Sequence, residues 1–243
     1  MRLDKFLSEM EIGTRSQVKE YIKKGLVEVN NIIIKKSDYK IDENNDSIIF
    51  NGKSISYQKY KYYMLNKPAG VVSATKDNFD KTVLDLLSNE SGKNLFPVGR
   101  LDKDTEGLLI ITNDGDLSHN LLSPKKHIDK TYYVECSGHI DAHKIDILET
   151  GVDIGDDKPT KPAKVNLLSS NDTKYLMYLT ITEGRFHQVK RMVEAIDGHV
   201  TYLKRISMGT LKLDDSLPKG SYRELTSEEI SMLKKIRRQK FCQ

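Results

Sequence analysis

One carboxylate in a short polar segment, Asp102, could do chemistry because a buried strand is predicted just after this segment. The segment begins with Gly99 and Arg100 and has no apolar periodicity, whereas residues 108–112 form an apolar, β-branched run of strand length. Asp102 is therefore expected in a loop held by a rigid strand, and such loops carry many functional residues. A carboxylate there, kept ionised by Arg100 or another arginine, could be a catalytic group.

Two other interpretations of Asp102 compete with the catalytic one. A turn aspartate that bonds to its own backbone near Thr105 is the ordinary role of such a residue. The spacing of Asp102, Asp104 and Glu106 also copies the start of an EF-hand calcium loop. That loop needs a glutamate at its twelfth position, where this chain has Asn113, and a helix after it, where a strand is predicted. Calcium is thereby excluded, and the turn remains the alternative.

No metal or cofactor is expected. Cys136, His139 and His143 lie close together, but a structural zinc site takes four ligands in paired spacings and the sequence has no second pair. No dinucleotide-binding or phosphate-loop motif is present. The two cysteines, Cys136 and Cys242, are too far apart to suggest a disulfide framework, which favours a reducing compartment.

Length and charge set broad limits. The chain has 243 residues, which suits one large domain or two modest ones. Its 39 Lys and Arg against 35 Asp and Glu give a net charge of +4, which is compatible with a nucleic-acid partner without indicating one. The N-terminus lacks the apolar core of a signal peptide, and no apolar run reaches membrane-spanning length. A cytoplasmic protein without membrane contact is expected, with a monomer as the default.

Two amphipathic helices and a small sheet are predicted in the first sixty residues. The second helix begins at a cap, Thr14 or Ser16, and ends at Gly25. Its inner stripe is Val18, Tyr21 and Ile22. Short strands are predicted at residues 27–29, 32–34 and 47–50, with a turn at Asn51 and Gly52. From Lys53 to Lys61 the chain has no packing signature, which is typical of a linker, with a hinge at residues 58–61.

In the remainder, residues 62–67 predict a strand that enters a turn at Pro68 and Gly70. Lys67 either helps form the floor of a site or is a solvated lysine of that turn. Residues 130–134 predict another strand, on which Tyr132 and Tyr133 must face opposite sides.

Residues 183–192 predict a strand end followed by a helix. Gly184 ends the strand, and the helix starts at Phe186 and closes at Gly198. Its inward-facing residues are Val189, Val193 and Ile196.

The motif around Asp102 resembles the signature of pseudouridine synthases. It reads Gly99-Arg100-Leu101-Asp102-x-x-Thr105-x-Gly107-Leu108-Leu109. Residues 102–105, residues 112–119 and the closing sequence around Tyr222 and Arg223 resemble the branch that acts on small-subunit ribosomal RNA. The resemblance implies that Asp102 is the nucleophile, that Tyr132 stacks on the target base, and that Arg185 pairs with Asp102.

The N-terminal region resembles a small RNA-binding module shared by a ribosomal small-subunit protein and tyrosyl-tRNA synthetases. The matching segments are Arg2-Leu3-Asp4-x-Phe6-Leu7, Arg15-Ser16-Gln17-Val18 and Gly25-x-Val27-x-Val29-Asn30. Basic side chains on the second helix, Arg15, Lys19 and Lys23, could then neutralise phosphates. Without the resemblance, an ordinary solvated helix face would be the preferred interpretation.

These observations predict an α+β protein: a helix-helix-sheet RNA-binding module at residues 1–58, then a mixed, mainly antiparallel sheet flanked by helices at residues 59–243. The predicted activity is isomerisation of a uridine to pseudouridine in small-subunit ribosomal RNA. The alternatives are a synthase for large-subunit ribosomal RNA and a non-catalytic ribosome-assembly factor. The expected catalytic residues are Asp102, Tyr132 and Arg185. The residues expected to contact RNA are Arg15, Lys19, Lys23, Lys67, Arg100, His187, Gln188, Lys190 and Arg191.

Overall fold

Two hydrophobic cores divide the chain into two units, Met1–Tyr60 and Lys61–Gln243, in this computed structural model. The structure describes residues 1–55, 60–90, 94–171 and 173–235. The first two residues of the predicted hinge, Gln58 and Lys59, lie outside this part, as does Cys242. Within the described residues, every helix is too short or too polar to cross a membrane.

The first unit is built from two helices and a four-stranded sheet. Its elements are α1 (Leu3–Glu9), α2 (Arg15–Lys23), β1 (Val27–Val29), β2 (Ile32–Ile33), β3 (Ile48–Phe50) and β4 (Lys53–Ile55). The strands pair antiparallel in the order β2-β1-β3-β4. Thr14 caps α2. Its side chain accepts a hydrogen bond from the main-chain N–H of Gln17, and the side chain of Gln17 accepts one from the main-chain N–H of Thr14. Val18 and Ile22 are fully buried beneath α2, as its periodicity predicts.

The prediction that a linker begins at Lys53 is wrong for residues 53–55. Lys53–Ile55 forms β4, and Ile55 pairs with Ile48 across the predicted turn at Asn51 and Gly52. Both turn residues have positive φ, 49° and 76°, which suits a tight hairpin. A three-residue strand with one apolar side chain is too short to show alternation in the sequence.

The second unit contains one large sheet with helices. Its strands are β5 (Tyr62–Lys67), β6 (Phe96–Pro97), β7 (Glu106–Thr112), β8 (Lys130–Gly138), β9 (Lys164–Ser170), β10 (Lys174–Ile181), β11 (Gly198–Met208), β12 (Leu211–Lys212) and β13 (Tyr222–Glu224). Its α-helices are α3 (Gly115–Leu122), α4 (Ala142–Thr150), α5 (Gln188–Glu194) and α6 (Ser227–Lys235), and short 3₁₀ turns span Leu84–Glu90 and Pro124–Lys126.

The strand order is β13-β5-β7-β11-β8-β10-β9, with β6 added to β7 and β12 added to β11. The pair β7 and β11 is parallel, and the other pairs of the described residues are antiparallel. The predicted α+β class, with a mixed and mainly antiparallel sheet, is confirmed.

Strand β7 lies inside this sheet between β5 and β11, and all seven of its residues are buried. Its continuous apolar run is what a strand covered on both faces requires. Gly107 opens the strand with φ of +97°, and a Cβ there would overlap the main chain of Arg205 on β11. Only glycine therefore lets β11 approach this closely.

Two elements of this unit differ from the prediction. After β7, Asp114 caps helix α3, which the sequence did not predict, and its carboxylate accepts a 3.0 Å hydrogen bond from the Leu117 N–H. Helix α5 ends at Glu194, and Gly198 starts β11 instead of closing the helix. A Cβ at Gly198 would crowd the side chain of Val193, so packing accounts for this glycine.

Candidate active site

A cavity of about 710 Å³ opens in the second unit beside the loop that precedes β7. That loop contributes Asp102, whose side chain is 27 % exposed, and the buried strands contribute Tyr132 and Arg205. The start of α5 contributes His187 and Lys190. A partly exposed carboxylate thus meets an aromatic ring and several cations in one concave site, as is usual for a small-molecule or base pocket.

The carboxylate of Asp102 does not close the turn, as the alternative interpretation of this residue had it. The Thr105 N–H donates a 3.1 Å hydrogen bond to the main-chain carbonyl of Asp102. Within the described residues, no main-chain N–H donates to the carboxylate of Asp102. The side chain is therefore not used to close the turn and remains available to the cavity.

Lys67 fixes the main chain of this loop from inside the protein. Its Nζ lies 3.0 Å from the carbonyl oxygen of Asp102, 3.3 Å from that of Lys103 and 2.8 Å from that of Thr105. A fourth carbonyl, that of Pro68, lies at 3.1 Å. The predicted RNA contact of Lys67 is wrong, because the residue is 0 % exposed. Burial lowers the pKa of Lys67 to about 8, and nearby carboxylates only partly oppose this shift.

The cation beside Asp102 is Lys190 of α5. Its Nζ lies 3.4 Å from Oδ2 of Asp102 and 2.7 Å from Oδ1 of Asp104, while Nε2 of His187 lies 3.6 Å from Oδ1 of Asp102. Burial alone would lower the pKa of Lys190, but its hydrogen bond to Asp104 and the charges of both carboxylates raise it. Lys190 is therefore a cation at neutral pH and can orient both carboxylates.

Arg185 does not pair with Asp102, contrary to the prediction. Its guanidinium instead contacts Asp156 at 3.4 Å and Glu183 at 3.3 Å, and it donates to the carbonyls of Lys158 and Pro159. These bonds join the turn before α5 to the loop at residues 156–159, which directs the side chain away from Asp102. Arg100 is exposed at the cavity and also forms no ion pair with Asp102.

Gln188 and Arg191 bind other parts of the protein, and the structure gives no support to their predicted contact with RNA. Gln188 is 4 % exposed; its Oε1 accepts from the Arg185 N–H at 2.9 Å, and its Nε2 donates to Glu183 at 2.9 Å. Arg191 pairs with Asp156 at 2.6 Å and donates to main-chain carbonyls. Both side chains therefore brace the turn that places His187 and Lys190.

Tyr132 and Tyr133 face opposite sides of β8, as strand alternation predicts. Tyr132 is 8 % exposed and lines the cavity. Tyr133 packs edge-to-face with Tyr178 and Tyr202, at ring-centroid distances of 6.0 and 6.1 Å. Only Tyr132 is placed where it could meet a bound base.

Two residues of the site received no role from the sequence. Phe186 is 68 % exposed at the cavity and stacks on the His187 ring at 3.8 Å. The signal for Phe186 was its place inside a polar, basic motif, where an apolar side chain has little to pack against. Arg205 is 2 % exposed on β11 and lines the same cavity. No signal identified Arg205, since the strand that carries it was not predicted.

Among the described residues, no three His, Cys, Asp or Glu side chains are grouped so that they could hold a metal ion. Cys136 is buried, and this burial raises the pKa of its thiol to about 11.

Comparison with known proteins identifies both units. The model of the RNA pseudouridylate synthase family matches residues 61–195, and that of the S4 domain matches residues 1–47. An uncharacterised RNA pseudouridine synthase of Bacillus subtilis is 47 % identical over 96 % of this chain and 98 % of the relative. The ribosomal small subunit pseudouridine synthase A of Haemophilus influenzae is 39 % identical over 97 % of this chain and all of the relative.

A solved structure agrees with these matches. The crystal structure of a pseudouridylate synthase, 39 % identical in sequence, superposes with a TM-score of 0.67 over 96 % of this chain and 99 % of that chain. The chain therefore belongs to the RNA pseudouridine synthase family, and it is an isomerase that carries an S4 domain at its N-terminal end.

Proposed function

We propose that this synthase converts one specific uridine of small-subunit ribosomal RNA to pseudouridine, with Asp102 as the nucleophile. The observation that carries the proposal is the convergence of Asp102, Tyr132 and Lys190 on one cavity. The substrate is supported by the relative from Haemophilus influenzae, whose name states the ribosomal small subunit, and by the motif at residues 102–105.

The proposed reaction needs no redox step or group donor. The bond between C1′ of the sugar and N1 of uracil breaks, a bond between C1′ and C5 forms, the C5 proton leaves, and N1 gains a proton. Asp102 could attack C1′, attack C6 of the ring, or remove a sugar proton. In each route Asp102 must be an oriented carboxylate, which the contacts from Lys190 and the Lys67-bound main chain support.

The target base must leave its stack before it can enter the cavity, which costs a few kcal/mol. The ring of Tyr132 offers a stacking face, and base–aromatic stacking contributes about 1–3 kcal/mol per base. At the cavity, the exposed side chains of Arg100 and His187, together with the partly exposed Lys190, are the groups proposed to contact the flanking nucleotides.

In the first unit, the proposed RNA-binding surface is the exposed face of α2. Arg15, Lys19 and Lys23 are all exposed there, whereas Val18 and Ile22 face the core. Cations in this arrangement bind phosphates without reading sequence. A ribosomal RNA substrate would also agree with the cytoplasmic location expected from the sequence, and the monomeric state remains a prediction.

The deciding experiment maps pseudouridines in ribosomal RNA from cells that carry the gene, lack it, or carry Asp102→Asn. Loss of the same small-subunit site in both altered strains would support the substrate and the nucleophile together. Loss of a large-subunit site would overturn the substrate. An unchanged map without the gene would favour the assembly factor. A strain with Asp116→Asn, at an exposed position in the first turn of α3, serves as the control and should keep every site.

A further inference from the structure

Arg205 is a buried cation on β11. Its Nε donates a 2.8 Å hydrogen bond to the carbonyl of Leu108, and its buried Nη2 has no hydrogen-bond partner in the part of the chain that the structure describes. Among the described residues, no carboxylate forms an ion pair with it. Leaving a guanidinium group buried and unpaired is costly unless a ligand completes the site.

A second buried cation lies in the same wall of the cavity. Lys130 is 7 % exposed and donates to the carbonyl of Ile128 at 3.1 Å. Burial, together with the charge of Arg205, lowers the pKa of Lys130 to about 8, although the charges of Asp129 and Glu183 oppose the shift. Two buried cations therefore line the cavity, and within the described residues the Nη2 group of Arg205 has no hydrogen-bond acceptor.

We propose that Arg205 donates a hydrogen bond to a carbonyl oxygen of the target uracil and stabilises the negative charge that the base acquires during the reaction. The inference rests on the proposed function of the Asp102 cavity. A uracil base fits the requirement because its edge presents two carbonyl acceptors and because it is small enough for a cavity of about 710 Å³.

The charge on the base arises in every route open to Asp102. If Asp102 attacks C1′ or removes a sugar proton, the electron pair of the broken C1′–N1 bond stays on the base and spreads to its oxygens. If Asp102 attacks C6, the π electrons of the C5–C6 bond move to C5 and spread to the C4 oxygen. A donor fixed in a low-dielectric site before the reaction stabilises such charge most effectively.

The sheet holds Arg205 in position. Arg205 pairs with Gly107 in the parallel register of β7 and β11, and the register of β11 against β8 shifts between Arg205 and Ser207. Because a side chain at Gly107 would overlap the main chain of Arg205, the two strands fix this residue closely beside the Asp102 loop.

The first test measures tritium release from ribosomal RNA labelled at C5 of uridine, with the two subunit RNAs assayed separately. We expect Arg205→Gln to lower kcat by about 100-fold while the Kd for RNA changes less than twofold, as for the loss of an oxyanion donor. Arg205→Lys, which keeps the charge, should recover part of kcat. Lys212→Gln, at an exposed position of β12, is the control and should match the wild type.

Three outcomes would overturn the inference. A variant with unchanged kcat would exclude any role in the reaction. A rise in the Kd for RNA of about 100-fold with an unchanged kcat would mean that Arg205 binds a phosphate instead of the base. No release by the wild type from either RNA would overturn the proposed function as well, whereas release from large-subunit RNA alone would overturn only the proposed substrate.

A second measurement applies even if the Arg205 variants fail to fold. Uracil and 5-nitrouracil, an anion at neutral pH, are compared as inhibitors of the wild-type enzyme. We expect the anion to inhibit at a concentration at least about tenfold lower, because the unneutralised guanidinium favours a charged acceptor. Equal inhibition by the two bases would contradict the inference. Where Arg205→Gln does fold, the preference for the anion should disappear.

Discussion

The contact between Lys190 and Asp102 is the ion pair on which the proposed chemistry depends most directly. Lys190→Met would remove a cation 3.4 Å from Oδ2 of Asp102 and leave the carboxylate free to reorient. We expect kcat to fall by roughly 10- to 100-fold, since a misplacement of about 1 Å can cost that much. Lys190→Arg, which keeps the charge, should retain most of the activity. Single-turnover tritium release from C5-labelled RNA measures both.

The control for this prediction is Lys103→Met. Lys103 belongs to the same loop, but its exposed ammonium pairs with Asp80 at 2.6 Å instead of facing Asp102. Exposed pairs of this kind contribute little, so the rate should stay close to that of the wild type. Equal rates for Lys190→Met and Lys103→Met would show that the contact with Asp102 has no catalytic role.

The sequence predicted where Asp102 lies but not which cation accompanies it. Its position before a buried strand follows from the apolar run of β7, and the orientation of Tyr132 follows from strand alternation. The partner depends on where α5 begins. The predicted start was Phe186, whereas the helix begins at Gln188 after His187 takes a positive φ of 48°. Residues 186 and 187 therefore lie outside the helix, and helical spacing could not place the side chains of this turn relative to the Asp102 loop.

At the scale of elements, the buried ammonium of Lys67 connects β5 to the loop before β7. Lys67→Met would leave the carbonyls of Asp102, Lys103 and Thr105 without this donor. Each buried acceptor left unpaired costs about 1–3 kcal/mol, and some would find water, so we expect a loss of about 2–4 kcal/mol in the free energy of unfolding. Urea denaturation followed by circular dichroism measures it.

Lys76→Met, a matched change at an exposed lysine of the same unit, is the comparison for Lys67. Surface substitutions of this kind usually change stability by less than about 0.5 kcal/mol. If the two variants unfolded at the same urea concentration, the carbonyl contacts of Lys67 would not be what holds the loop.

The sequence pattern predicts some strands of this sheet and not others. Residues 108–111 of β7 are uniformly apolar and fully buried, so that strand was predicted. Strand β11 carries Thr201, Lys204 and Arg205 among its apolar residues, and it was not predicted. A buried arginine makes a strand resemble a surface segment. The position of β11 beside the site therefore depends on contacts with distant strands and not on the local sequence pattern.

At the scale of the whole molecule, we expect the S4 unit to add RNA affinity and not to change the chemical step. Changing Arg15, Lys19 and Lys23 together to Gln removes three exposed cations of α2. The Kd for RNA should rise roughly 10- to 100-fold, and the slope of log K against log salt should fall by about 2–3. At saturating RNA, kcat should be unchanged. Filter binding at several salt concentrations and tritium release provide the measurements.

A charge-matched triple variant in the second unit is the comparison. It replaces three exposed lysines, Lys164, Lys174 and Lys212, by Gln and removes the same net charge. If both triple variants weakened binding equally, overall charge and not the surface of α2 would account for the affinity.

The parallel pairing of β7 with β11 also determines when the cavity can exist. Leu108 and Arg205, joined by a hydrogen bond, are 97 residues apart in the chain. At a synthesis rate of about 5–20 residues per second, the Asp102 segment leaves the ribosome roughly 5–20 s before β11 does. Contacts this distant in sequence also form late in folding. In a nascent chain the carboxylate of Asp102 is therefore exposed before β11 and Arg205 are in place. The cavity is complete only after β11 has joined the sheet.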